Sequence, residues 1–280
     1  MTVKRRGIRS RDPVALAVNG LLAVAALFAL GPLLWMLSVS LMATGEASTY
    51  PPPLLPTAPT LQHYRDLFAQ VGLGRYFGNS LVVASGVTVL SVLFNVMAGY
   101  AFAKLHFKGR EPLFKALLAA LVIPGQVAMM PLVLMLKSLG LVNTWAGVIV
   151  PGMAGIFGIF LVRQYARSVP DALIEAARID GASESRIFFQ IVLPLLKPVV
   201  VTLALFGFLG SWNDFMWPLI VLTDGQLQTL PVALASLSRE HVQDNELMMA
   251  GSVVTVLPVL VLFLLLQRHY LQGLLMGSVK

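Results

Sequence analysis

The chain contains no cysteine. That excludes a disulfide framework, a thiol nucleophile and a thiolate metal site. It is also poor in charge: 12% of its 280 residues are charged, against roughly 25% in an ordinary soluble domain. With 57% hydrophobic residues, the apolar side chains exceed what a core of this length can bury, so much of the surface must face lipid. No Gly-x-x-x-x-Gly-Lys-Ser/Thr loop occurs, which removes that route to nucleotide binding. His-Glu-x-x-His and Gly-x-Ser-x-Gly are missing too. The histidines His63, His106, His241 and His269 are scattered, with His241 on a polar, solvated stretch, so no metal site is expected. No His or Glu relay lies inside an apolar run, which argues against a proton-driven mechanism. The chain reads as a non-enzyme whose driving force resides on another protein.

What is present is membrane helix. A bilayer-crossing helix takes about 20 predominantly apolar residues. Six stretches qualify, at about 14–41, 79–103, 116–136, 144–162, 198–223 and 249–266. The first follows a basic Lys4-Arg5-Arg6 with Arg9 and Arg11. Its apolar run is far longer than a signal-peptide core, so it reads as an uncleaved helix. The formal charge is +7, and its distribution orients the spans, because Lys and Arg are retained on the cytoplasmic side. The N-terminal tail (1–13), the 104–115 connection, the 163–197 loop and the C-terminal tail (267–280) hold sixteen of the twenty basic residues. Arg65, Arg75, Lys137 and Arg239 fall on the other side. Both termini and the 163–197 loop are therefore expected in the cytoplasm. Such charge placement gives no support to a nucleic-acid partner.

The first span and its outer loop occupy 14–78 and a five-helix core 79–266. In the outer loop, a proline-rich start (Tyr50 to Pro59) precedes a short amphipathic helix capped by Thr60. Thr88, Ser91, Asn95 and Gly99 share one face of the second span. That face suits either close helix packing or a pathway wall. Pro124 and Pro131 kink the third span. Asp214, in Trp212-Asn-Asp-Phe-Met-Trp-Pro, lies about 22 Å along the fifth span at 1.5 Å per residue. An acid at that depth is a functional-site candidate or a partner in an interhelical bond. Trp212 and Trp217 occupy positions suited to an aromatic belt. Asn95, Trp212, Asn213 and Asp214 are the candidate pathway residues.

The polar stretch Pro170 to Pro198 interrupts this apolar pattern. Ser168 and Asp171 fit a capping box. A helix through Glu175-Ala-Ala-Arg-Ile-Asp is stopped by Gly181, and Ser183 caps a second helix expected to end before Pro194. Two such short helices are too few residues to stand alone. Ala176, Ala177, Gly181 and Ala182 form a face with almost no side-chain bulk. The loop's net charge of +1 favours a protein partner over anionic lipid.

Glu175-Ala-Ala, three residues, Gly181, nine residues, then Ile191-x-Leu-Pro194 resembles the loop motif of ABC importer permeases, without a gap. Trp212-Asn-Asp-Phe-Met-Trp-Pro-Leu, Thr229-Leu-Pro-Val-Ala-Leu and Gly273-Leu-Leu-Met-Gly-Ser-Val-Lys are similar to the carbohydrate-uptake permeases related to the maltose system, specifically the shorter permease of the pair. The resemblance covers nearly the whole chain. It implies an all-α, six-span, type I ABC importer permease fold in a bacterial or archaeal inner membrane. The implied complex holds a second permease, an ATPase dimer that binds ATP and magnesium, and an extracytoplasmic sugar-binding protein. Glu175, Ala176, Ala177, Asp180, Gly181 and Ala182 would dock the ATPase, with the C-terminal tail nearby. Transport would proceed by alternating access. The sugar would be a disaccharide or oligosaccharide, with monosaccharides, polyols and glycerol-3-phosphate served by close relatives. Sugar contacts would come mainly from the longer permease, leaving Asn213 and Asp214 without an assigned role. The competing readings are a self-sufficient secondary transporter and a membrane scaffold.

Overall fold

The computed structural model describes residues 13–240 and 244–276. The basic N-terminal cluster, His241 and the last four residues, 277–280, lie outside them. The described residues are helical, without strands, and form two compact units.

The smaller unit joins the chain up to Val71 with Leu237–Val254. Helix α1 (Pro13–Val39) is long and apolar, and Val39 is its buried residue. Phe28 is 85% exposed, as expected of a helix solvated by lipid rather than by protein. After it the connection to α2 (Gln62–Ala69) is pinned by polar contacts. Glu46 accepts the backbone N–H groups of Ala43 and Thr57, and buried His63 bonds to the Met42 carbonyl. Helix α2 is the expected amphipathic helix, but Leu61 and not Thr60 stands at its cap, and the Thr60 hydroxyl accepts the Gln62 N–H from one residue ahead of it.

The larger unit runs from Gly72 to Ser236 and resumes at Thr255. Its axis is α3 (Leu73–Lys104), which packs on α7 (Ile156–Ala166) and α11 (Lys197–Trp212). The glycines of α3 and α7 permit that approach. A Cβ on Gly99 would sit 2.5 Å from the Val162 Cβ, and one on Gly158 would overlap the Asn95 side chain.

The expected third span is not one kinked helix. It is α4 (Arg110–Ala120) and α5 (Gly125–Ser138), bent by 103°. Proline excludes its predecessor from helical geometry and donates no bond. The chain accordingly tightens through short-range bonds from Leu121, Val122 and Ile123 before turning at Pro124. The fourth span also breaks: α6 (Trp145–Ile149) runs on through a 3-10 turn, Val150–Gly152, and bends 40° across residues 153–155 into α7. Thr144 caps α6 through the Gly147 N–H.

In the polar loop, α8 (Asp171–Ile179) is followed by Gly181 at φ 78°. Next come α9 (Glu184–Ile187), a π turn (Phe188–Val192) and α10 (Leu193–Leu195). Two expectations are corrected here. Ser168 does not cap α8, because its hydroxyl donates to Tyr165 at the end of α7, and Pro170 stands at the cap. The second loop helix does not end before Pro194. The turn ahead of the proline widens into π geometry, which accommodates the missing N–H, and the helix continues to Leu195 before bending 79° into α11. Beyond α11, α12 (Met216–Val221) completes the fifth apolar stretch. Then α13 (Leu230–Glu240) leads towards α14 (Asn245–Met276), which carries the sixth and continues through Gln267–Met276, the start of the expected tail. Among the described residues, three helices alone are long and apolar enough to cross a membrane, or up to six spans if each bent pair counts as one.

Candidate functional site

Three helix breaks meet around one cavity of about 490 Å³. Gly125 and Gln126 come from the start of α5, Pro151 and Gly152 from the turn that leads into the fourth-span break, and Ser211 and Asp214 from the end of the fifth. Ser91 of α3 closes the wall. Irregular backbone at membrane depth is tolerated where it lines a cavity or finds partners inside the protein, and both occur here.

The partners are specific. Gly155 lies in the 153–155 break and has no helical acceptor, and its N–H donates to Asn95 Oδ1 at 2.9 Å. Asn95 Nδ2 donates in turn to Ser91 Oγ at 2.9 Å. At the fifth-span break, Asp214 Oδ1 accepts the Trp217 N–H at 3.3 Å, starting α12.

Of the expected pathway residues, Asp214 lines the cavity and the other three do not. Asn95 is 2% exposed and is spent holding the break. Trp212 is 1% exposed, donates to the Thr255 carbonyl and packs on Phe77 and Phe208. Asn213 donates back to Leu209. Trp212 and Trp217 are both buried, so they form no lipid-facing belt. The Thr88–Gly99 stripe divides by position. Gly99 and Asn95 pack against α7, whereas Ser91 reaches the cavity. Gln126 and Ser211 escaped the sequence reading because the breaks that expose them are set by tertiary packing.

A second region lies at the other end of α3. Ile174 and Ala177 of α8 share a core with Val96, Tyr100, Val162 and Ile187. Lys104, 9% exposed, donates to the Val169 carbonyl and to Asp171 Oδ1, both at 2.6 Å. The hydrogen bond and charge of Lys104 hold the Asp171 carboxyl below the ordinary carboxylate range. Across Gly181, Arg178 pairs with Glu184 at 2.6 Å. That contact lowers the Glu184 pKa and raises that of Arg178. Nearby, buried Arg163 donates to the Phe102 carbonyl and to Glu111, with its guanidinium 3.8 Å from the Phe114 ring centre.

These anchors sort the expected docking set. Glu175, Ala176, Asp180 and Gly181 are exposed. Ala177 is 8% exposed and belongs to the chain's own core, with Ala182 packed against it. The low bulk of those two residues therefore serves internal packing. The exposed side instead presents Ile179, 87% exposed, with Leu173 at 46%.

Residues 92–275 match the family of binding-protein-dependent transport system inner membrane components. The chain is 41% identical over 244 residues to the arabinooligosaccharides transport system permease protein AraQ of Halalkalibacterium halodurans, covering 87% of this chain and 86% of that one. It is 32% identical over 284 residues to the lactose transport system permease protein LacG of Rhizobium radiobacter, covering 100% of both. Its fold matches a chain in the crystal structure of a bacterial ABC transporter involved in the import of the acidic polysaccharide alginate. There the TM-score is 0.82 and the identity 23%, over 94% of this chain and 98% of that one. Broken spans around a cavity, with a clamped polar loop between the fourth and fifth, are thus those of an ABC importer permease. The chain belongs to the binding-protein-dependent transport system inner membrane component family and has the type I ABC importer permease fold.

Proposed function

We propose that this chain is one permease subunit of an ATP-driven oligosaccharide importer, coupled to its ATPase through α8. The observation that carries this reading is the two-sidedness of α8. One side is tied to the ends of α3 and α7 by Lys104, Ile174 and Ala177. The other side leaves Ile179 uncovered. A protein seated on the uncovered side would move α8, and α8 would carry Lys104 and hence α3. Helix α3 also bears Ser91 and Asn95, which line and brace the cavity. Force at the loop thereby reaches the three helix breaks, a direct mechanical route for alternating access.

In this reading the 163–197 loop and both termini face the cytoplasm of a bacterial or archaeal inner membrane. The cavity belongs to the route shared with a second permease. A binding protein delivers sugar from outside, and the ATPase dimer holds ATP and magnesium. The sugar-permease names of the relatives, AraQ and LacG among them, support the carbohydrate class.

Co-expression with its ATPase and second permease tests the assignment. The expected result is stoichiometric copurification, with ATP-dependent uptake of labelled oligosaccharide by proteoliposomes supplied with the binding protein. Uptake by the chain alone, driven by an ion gradient, would refute it.

A further inference from the structure

Four polar side chains on the cavity wall have unused hydrogen-bonding capacity. Among the described residues, the Gln126 amide and the Ser211 hydroxyl have no side-chain partner, and both line the cavity. Ser91 Oγ accepts from Asn95, so its own proton is free to donate. Asp214 accepts the Trp217 N–H on Oδ1 at 3.3 Å and the Met216 N–H as well, whereas a carboxylate accepts about four bonds. Between these groups lie the apolar side chains of Phe206 and Met129 and the indole of Trp217. Among the described residues, no Lys, Arg or His lines the cavity. Its volume of about 490 Å³ is within the roughly 300–1,000 Å³ of small-molecule sites.

Gln126 is exposed and Ser91, Ser211 and Asp214 are partly buried, so all four reach the open cavity, whereas the buried Trp217 indole N–H on the same wall has no partner, and a buried donor of that kind is costly unless something polar meets it. A sugar fits this set. Its hydroxyl hydrogens suit a carboxylate and an amide oxygen, its hydroxyl oxygens suit serine and amide N–H groups, and its C–H faces suit Phe and Met. A lone carboxylate with no cation beside it repels an acidic sugar. We infer that this chain carries its own sugar-contact site, built from Asp214, Gln126, Ser91 and Ser211 and fitted to uncharged oligosaccharides. The site rests on the importer reading above. It departs from the expectation that contacts come mainly from the longer permease.

Saturation-transfer NMR on the whole transporter complex, without binding protein or ATP, tests it with lactose, arabinotriose and digalacturonate as probes. Lactose or arabinotriose should receive saturation and digalacturonate should not. Q126L and D214S should each reduce the neutral-sugar signal at least fivefold. Serine still offers a capping oxygen to α12, so loss in D214S reports the missing carboxylate rather than a broken cap. D214N keeps both cap and length, and should raise the digalacturonate signal relative to the neutral sugars at least threefold. No signal from any neutral sugar, or an unchanged signal and preference in all three variants, overturns the inference. Failure of the importer reading would appear separately, as wild-type complex that takes up no sugar with ATP.

Discussion

Asn95 Oδ1 accepts the backbone N–H of Gly155 at 2.9 Å, joining the middle of α3 to the broken turn that begins α7. The first N–H groups of any helix lack an internal acceptor, and lipid offers none. Removing the amide should cost about 1–3 kcal/mol, the penalty for an unsatisfied buried donor. N95A should therefore lower the melting temperature of the purified complex. G158A should do so as well, because its methyl group would collide with Asn95. The double variant should lose less than the sum of the two, since deleting the amide removes the obstacle. Strict additivity in that cycle would show that the two residues are not in contact.

This bond also explains what the sequence conceals. The spacing Thr88, Ser91, Asn95, Gly99 places four residues on one helical face, and that face is buried against α7 and α11 or open to the cavity by position alone. Periodicity reports the face and cannot report what breaks opposite it. The apolar helices follow from apolar length, three of them as unbroken spans, and the α8–Gly181–α9 pattern follows from the helix-ending left-handed glycine and the Ser183 cap, so these were legible. The 103° bend at Pro124 was not, because a proline signals a kink and its angle depends on packing. Lys104 and Arg163 looked like ordinary boundary charges. Their burial became visible only once α8 and α4 were folded beside them.

Lys104 and Asp171 make the loop's attachment pH-dependent. The Asp171 pKa is lowered in the folded protein. Its contribution is therefore fully present above the ordinary aspartate value near 3.9 and disappears as pH falls through the lower folded value. The chain has no cysteine, so A172C alone can carry a spin label on exposed α8. The label should be immobilised at pH 7 and gain mobility as pH falls below about 4. With D171N added, its mobility should be high at pH 7 and insensitive to that transition. A label equally immobile in D171N would show that the ion pair does not hold α8.

Gly181 separates backbone strain from docking. It sits at φ +78° with open space where a Cβ would lie. Both G181A and G181L should cost about 1–2 kcal/mol, from the left-handed backbone rather than from any clash. Their stabilities should match. Transport should separate them if the ATPase seats on this face as proposed: G181A should keep most of the wild-type rate, whereas G181L should lose it while still inserting, because its bulk would stand in the docking surface. Equal transport by the two variants would remove Gly181 from the docking surface.

Ile179 gives the most direct test of that surface. It is 87% exposed on a charged loop, whereas Ile174 on the same helix is 3% exposed in the chain's own core. Fully burying an isoleucine side chain is worth about 1.5–3 kcal/mol. If the ATPase covers Ile179, I179A should weaken ATPase binding to the permease pair roughly 10- to 100-fold. I179D should weaken it further, by burying a charge without a partner. Neither change should lower the melting temperature of the permease pair measured without ATPase, because Ile179 lies outside the core that holds α8. I174A should do the opposite, lowering that melting temperature by opening a cavity. Titrating ATPase onto the two sets of variants therefore separates the outer side of α8 from the inner one. Full-affinity binding by I179D would move the coupling surface away from α8.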